Sequence, residues 1–301
     1  MSVTSEIAPA ASPARPGIAA VIELLKPITW FAPMWAFACG VVSSGASLSD
    51  NWVTLIAGII LCGPLVCGTS QAANDWYDRD VDAINEPNRP IPSGRVPGQW
   101  GFYIACAGTV LSLVLAALLG PAVVLAAVIG LVLAWIYSAP PLRLKMNGWW
   151  SAGVVGACYE GLPWFTGAAV MLSSLPGWEI VAIAVLYSIG AHGIMTLNDF
   201  KAVEGDTRHG VLTLPVQLGV ANAARLACAV MALPQIIVIA LLGSWGQLGY
   251  AALVGALLAT QLAAMLRLLE DPKRWAPWYN ATGTTLYVLG MLASAFALRA
   301  V

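Results

Sequence analysis

The sequence predicts an all-α integral membrane protein: a bundle of about nine transmembrane helices with its N-terminus on the cytoplasmic side. Three observations predict it. Hydrophobic residues make up 59% of the 301 positions and charged residues only 10%, with a mean hydropathy of +0.79. An ordinary soluble domain carries about 25% charged residues. Apolar runs long enough to span a bilayer, which needs about 20 residues, recur along the whole chain. Lys and Arg, finally, gather in every second connection between those runs.

The runs fall at approximately 28–46, 52–73, 99–119, 121–138, 149–171, 178–197, 219–242, 247–269 and 278–299. Gly120-Pro121 separates the third from the fourth, because proline removes a backbone donor and favours a break. Cations in short loops are retained on the cytoplasmic side. With the N-terminus inside, the loops after runs two, four, six and eight lie on that side. They hold Arg79, Arg89 and Arg95, then Arg143 and Lys145, then Lys201 and Arg208, then Lys273 and Arg274. The short loops between them, near 47–51, 120, 172–177 and 243–246, contain no Lys or Arg, and Arg299 alone departs from the pattern.

Residues 1–17 read as a short disordered cytoplasmic tail, rich in Ala, Pro and Ser and lacking the apolar run of a cleavable signal. Residues 18–301 read as one transmembrane domain whose chemistry lies in the inside loops 74–98 and 198–218. A formal charge of -1 excludes a nucleic-acid footprint, which requires a basic excess. The six cysteines sit in apolar stretches without a Cys-x-x-Cys pair and read as small core residues.

Eight of the 15 acids, Asp75, Asp78, Asp80, Asp82, Glu86, Asp199, Glu204 and Asp206, fall in two clusters on the inside face. An isolated charge run usually marks a hydrated surface. This concentration at a membrane edge points instead to function. In Asn74-Asp75-Trp76-Tyr77-Asp78-Arg79-Asp80-Val81-Asp82, the residues Asn74, Asp78 and Asp82 share one face if the second helix continues past the bilayer. Asp75 adds a further oxygen ligand. Like-charged carboxylates at this spacing repel, so a cation is expected among them, and hard oxygen donors suit magnesium, which keeps coordination positions for substrate phosphates.

The second cluster, Asn198-Asp199-Phe200-Lys201-Ala202-Val203-Glu204-Gly205-Asp206, places Asp199 and Asp206 two turns apart on one side of a helical segment, with Gly205 making its far end uncertain. Two such clusters can hold the two phosphates of a diphosphate through separate metal ions. The interleaved Arg79, Arg89, Arg95, Lys201 and Arg208 would neutralise phosphate oxygens directly. Elsewhere, Glu160 lies near mid-span, where a charge costs at least about 2.5 kcal/mol, and is expected to line a polar cavity or to be protonated. His192 reads either as a pigment-metal ligand or as a hydrogen-bonded packing residue. The loop Pro140-Pro141-Leu142-Arg143-Leu144-Lys145 reads as a topology marker, and the 13 tryptophans as partly interfacial.

The spaced acids resemble those of the UbiA superfamily of intramembrane prenyltransferases, and the resemblance extends over residues 20–299. Longer strings resemble the chlorophyll synthase branch: Lys26 to Trp30, Asn74 to Arg95, Tyr137 to Lys145 and Asn198 to Asp206. Cys158 to Gly167 and Ala191 to Phe200 are most similar to its bacteriochlorophyll synthase group. The resemblance implies a nine-helix bundle with a lateral opening, a site on the cytoplasmic side of a bacterial inner or intracytoplasmic photosynthetic membrane, and Mg2+ as cofactor. It implies esterification of the bacteriochlorophyllide a propionate with the geranylgeranyl or phytyl group of a diphosphate. It also implies contacts with other membrane proteins of pigment synthesis.

Carried onto this chain, the resemblance makes Asp78, Asp82, Asp199 and Asp206 catalytic and adds Asn74 and Asp75 to them as metal ligands. Lys26, Arg143 and Lys145 join Arg79, Arg89, Lys201 and Arg208 around the diphosphate. Trp30, Tyr137, Tyr159, Glu160, Trp164, His192 and Asn198 are placed at the acceptor or prenyl cavity. One position departs from the family pattern: Ala202 stands where many members carry another Asp, which leaves the second ligand set open, with Glu204 as a candidate. The rival readings are a prenyltransferase for another acceptor (chlorophyllide, a quinone precursor or haem), an ion-coupled transporter with acids on a midplane path, and a pigment-binding structural protein.

Overall fold

The computed structural model describes residues 15–301, so most of the expected N-terminal tail lies outside the described residues. Twelve helical segments follow in order. They are α1 (Ile18–Leu24), α2 (Phe31–Ser43), α3 (Trp52–Asn85), α4 (Trp100–Leu119), α5 (Pro121–Ser138) and α6 (148–172). Then come α7 (Trp178–Asp199), α8 (Val203–His209), α9 (Leu214–Leu218), α10 (Val220–Ser244), α11 (Leu248–Glu270) and α12 (Pro272–Leu298). Among the described residues there is no strand, only one bridge between Asn147 and Leu212. Helices bond their backbone groups internally, which is what hydrocarbon demands of a spanning main chain.

Among the described residues, seven helices are long and apolar enough to cross a membrane, and eight if α1 and α2, bent by 43° at their junction, form one broken span. The break has a local cause: Lys26 takes a left-handed backbone conformation and Pro27 follows it without an N–H to donate. The remaining expected span is α6, which consists of Gly148–Gly156, a π turn Ala157–Gly161 and Leu162–Leu172 in succession. Neither α-helical piece is long enough alone, so nine is an approximate count. A second π turn, Leu61–Cys67, interrupts α3 around Pro64, whose missing N–H loosens the helical ladder.

Helices pack closely through glycine where no hydrophobic effect drives them together within lipid. A Cβ at Gly40 would lie 1.9 Å from the Trp164 carbonyl oxygen, and one at Gly167 would lie 2.1 Å from that of Phe37. These contacts are with backbone, which cannot rotate away. We therefore expect Gly167→Leu to force α2 and α6 apart, at a cost above the ~1–3 kcal/mol typical of overpacking. The measurement is the yield of monodisperse protein in detergent, and unchanged yield and elution would show that the pair can separate without loss. Deeper in the second half, Gln235 and Gln261 exchange amide hydrogen bonds of 3.1 and 3.0 Å and are wholly buried, satisfying two polar groups of α10 and α11 at once.

Candidate active site

Helix α3 does not stop at the membrane-length run 52–73 but continues to Asn85, so residues 74–82 are helical. The carboxylates divide between two sets of cations. Asn74 donates to Asp78 Oδ2 at 3.1 Å and to Ser138 Oγ at 3.1 Å, and Asp78 Oδ1 meets Lys145 Nζ directly, with Arg143 at 3.6 Å. Asp75 and Asp82, seven residues apart, share Arg89 at 3.6 and 2.8 Å, and Asp75 also binds Lys26 at 2.6 Å. Asn74, Asp78 and Asp82 thus share one face of a continuous helix, as their spacing requires, and Arg89, folding back from the loop 86–99, joins Asp82 to Asp75 at the edge of that face.

These ion pairs bring together Lys26, Arg89, Arg143 and Lys145, four of the expected diphosphate ligands. Burial lowers the Lys145 ammonium pKa from its ordinary value, and its bond to Asp78 opposes that shift. Burial lowers the Arg89 guanidinium too, but Asp82 and Asp75 overcome it and leave the group raised. The other three expected cations stand apart. Arg79 stacks over Trp76 at 4.4 Å, donates to the Trp76 carbonyl at 2.8 Å and pairs with exposed Asp80, while Lys201 and Arg208 are exposed.

The second cluster is not one helix. Helix α7 ends at Asp199, a turn intervenes, and Asp206 belongs to the short α8. The chain nevertheless folds back so that Asp206 lies near enough to Asp199 for their charges to repel. Burial raises the Asp206 carboxyl pKa, against the lowering by Thr213, which donates to it at 3.2 Å, and by His209. The 3.2 Å bond from buried Thr213 and the Asn147–Leu212 bridge tie this loop to the segment that carries Lys145. Tyr137, bonded to Ser151 at 3.1 Å, lies within electrostatic range of both Asp199 and Asp78.

The set of oxygen donors fits a hard divalent ion. Asp75 Oδ2 is buried without a hydrogen-bond partner, and Asp199 and Asp206 repel each other across a gap that a cation would relieve. Among the described residues no three of His, Cys, Asp or Glu converge on one point, so oxygens from Asn74 or from a bound phosphate would have to complete any coordination shell. Arg143 Nε is likewise a buried donor without a partner, suited to an anion.

Beside the first cluster a cavity of about 240 Å³ enters the bundle between α3, α5 and α6. Asn74, Lys145 and Tyr137 line it at the charged end, and Tyr159 lines it farther in, held by Gln71 at 3.1 Å and by the Cys67 thiol at 3.6 Å. Both π turns supply wall residues. Five expected cavity residues lie elsewhere. Glu160 is buried with Oε2 unpaired, and Trp164 stacks on Tyr187 and donates to Ser43 at 3.0 Å. These two stand four apart on α6, across the helix from the cavity-lining Leu162, which is why the helix turns both from the cavity. Trp30 donates to the Leu25 carbonyl, His192 packs beside Trp149, and exposed Asn198 accepts from Asn280. Conversely, Ser70 and Gln71 line the cavity and were missed, although two polar residues one turn before Asn74 in an apolar run were a usable signal.

The sequence model of the UbiA prenyltransferase family matches residues 30–296. The chain is 59% identical over 280 residues to the bacteriochlorophyll synthase 33 kDa chain of Cereibacter sphaeroides, covering 93% of each. It is 53% identical over 294 residues to that of Rhodobacter capsulatus, covering 96% of this chain and 97% of that one. Its fold matches the solved structure of a UbiA homolog from Archaeoglobus fulgidus bound to DMAPP and Mg2+, with a TM-score of 0.73 at 20% identity over 94% of this chain and 99% of that one. With a family match over nearly the whole chain, a helical bundle and an acid cluster beside a cavity, this chain belongs to the UbiA prenyltransferase family.

Proposed function

We infer that this protein esterifies the propionate of bacteriochlorophyllide a with a geranylgeranyl group taken from its diphosphate, releasing diphosphate, as a step of bacteriochlorophyll synthesis. The observation that carries this reading is the identity of 59% and 53% with two bacteriochlorophyll synthases over nearly the whole chain. The geometry supports the donor half: cations and carboxylates cluster at the mouth of an apolar cavity, the arrangement a diphosphate with an isoprenoid tail requires. The Lys and Arg of alternate loops support a mouth on the cytoplasmic side, and the bacteriochlorophyll synthase relatives support a bacterial photosynthetic membrane.

Asp78 and Asp82, with Asn74, Asp75, Asp199 and Asp206, would hold Mg2+, which supplies charge withdrawal from the departing diphosphate. Lys26, Arg89, Arg143 and Lys145 bind its oxygens and steady the negative charge as it grows. The allylic C–O bond breaks with its electron pair leaving on the diphosphate, and a propionate oxygen forms the new C–O bond to the allylic carbon. A propionate is already ionised near neutral pH, so no side chain has to remove a proton. The apolar cavity wall, with Tyr159 fixed by Gln71, excludes water that would otherwise capture the allylic cation.

The purified enzyme, offered geranylgeranyl and phytyl diphosphates together with chlorin and bacteriochlorin acceptors, should form the geranylgeranyl bacteriochlorin ester as its main product by chromatography. A dominant ester of chlorophyllide, or a prenylated quinone precursor, would overturn the acceptor assignment.

A further inference from the structure

The cavity has a mouth and a floor, and one position between them is built differently from its neighbours. Asn74, Tyr137 and Lys145 mark the mouth; Leu61, Cys62, Ala126 and Thr166 lie at the other end. At about 1.5 Å of rise per residue, Ala126 stands about 16 Å from Tyr137 along α5. Beyond it, a buried apolar cluster containing Phe37, Val41, Val123 and Val170 closes the end. A tail entering from the charged mouth therefore runs into a stop.

Along α5 the cavity face carries Ala126, Gly130 and Ala134, at successive four-residue spacing. Opposite Gly130 both other walls stand within van der Waals reach of α5. A Cβ at Gly130 would touch Leu162 Cδ1 of α6 and Val66 Cγ1 of α3, each at 3.7 Å. One methyl group would thus already meet both walls in ordinary van der Waals contact, and a branched side chain would fill the passage between them. Nothing in the backbone demands glycine here, since Gly130 is helical and has no positive φ. The missing side chain keeps open the route to the space beside Ala126 and Ala127.

We propose that Gly130 is the residue that sets donor length, forming a waist through which the distal units of a four-isoprene tail pass to the floor of the cavity. The proposal rests on the prenyl-diphosphate reading of the site and adds to it the position that discriminates long from short tails. A donor of two isoprene units ends before the waist and is indifferent to it. A donor of four units must occupy it.

The test is calorimetric titration of the full-length protein, in detergent with magnesium, with geranyl and geranylgeranyl diphosphates. Gly130→Val should weaken geranylgeranyl diphosphate by about tenfold or more, the scale on which pockets reject added carbon, and leave geranyl diphosphate within about twofold. Gly130→Ala should shift the same preference in the same direction by less. Retained binding of the short donor shows that the variant is folded. If Gly130→Val does not fold, Ala126→Leu, which raises the floor, should give the same selective loss. An equal loss for both donors, or undiminished binding of the long one, would overturn the proposal. No acceptor is present, so an error in the acceptor leaves the result intact. A parent protein that binds neither donor would overturn the donor reading itself.

Discussion

Asp78→Ala should lower ester formation by about 10²–10³-fold in membranes supplied with magnesium, geranylgeranyl diphosphate and bacteriochlorophyllide a, the loss typical of removing one preorganised electrostatic contact. Asp78 carries more interactions than any other acid in the first cluster. It accepts from Asn74 and pairs with Lys145 and Arg143, and Asn74 and Lys145 line the cavity mouth. Removing it deletes an oxygen pair that we propose holds Mg2+ and leaves the largely buried Lys145 ammonium without its counter-charge. Asp78→Asn separates the two roles from simple packing, because it keeps the shape and removes the charge, and it should lose activity to a similar extent while the protein remains monodisperse. Undiminished ester formation in either variant would remove Asp78 from the chemistry.

Excess chelator should abolish turnover, with a loss of at least about 10²-fold, and added Mg2+ or Mn2+ should restore it, since both accept all-oxygen ligand sets. The thermal midpoint should change little on chelation. Asp75, Asp78 and Asp82 each have a Lys or Arg partner in the fold, so their charges are balanced without the ion. Full activity in chelator would end the metal-assisted reading. A collapse of the midpoint would instead assign the ion a structural role.

Much of this was readable from composition and spacing. The bundle follows from apolar runs, and the grouping of Lys26, Arg89, Arg143 and Lys145 around the first acids follows from their confinement to one membrane face. The expected continuation of helix past the bilayer at 74–82 also has a visible cause, because no Gly or Pro interrupts that segment. Residues whose role depends on which stripe of a helix faces inward were not readable. Glu160 is polar in an apolar helix, which suggests a cavity, yet the rotation of α6 turns it into the core. Trp164 and Trp30 are found in packing positions for the same reason: an aromatic side chain fills a core gap as readily as it lines a ligand pocket.

The acid clusters on which the function rests show the division most clearly. Sequence alone determined their composition, their common membrane face and their supply of cations, because hydropathy and charge asymmetry are local properties of the chain. Only the tertiary structure decided which acid meets which cation: that Arg89 returns to join Asp75 with Asp82, and that Lys145 and Arg143 take Asp78. It alone decided that Asp199 and Asp206, on separate helices, approach each other, and that Leu162 and Val66 face Gly130 across the cavity. Those outcomes depend on contacts between segments remote in sequence, set by helix rotation and loop return, for which no spacing rule within a single segment exists.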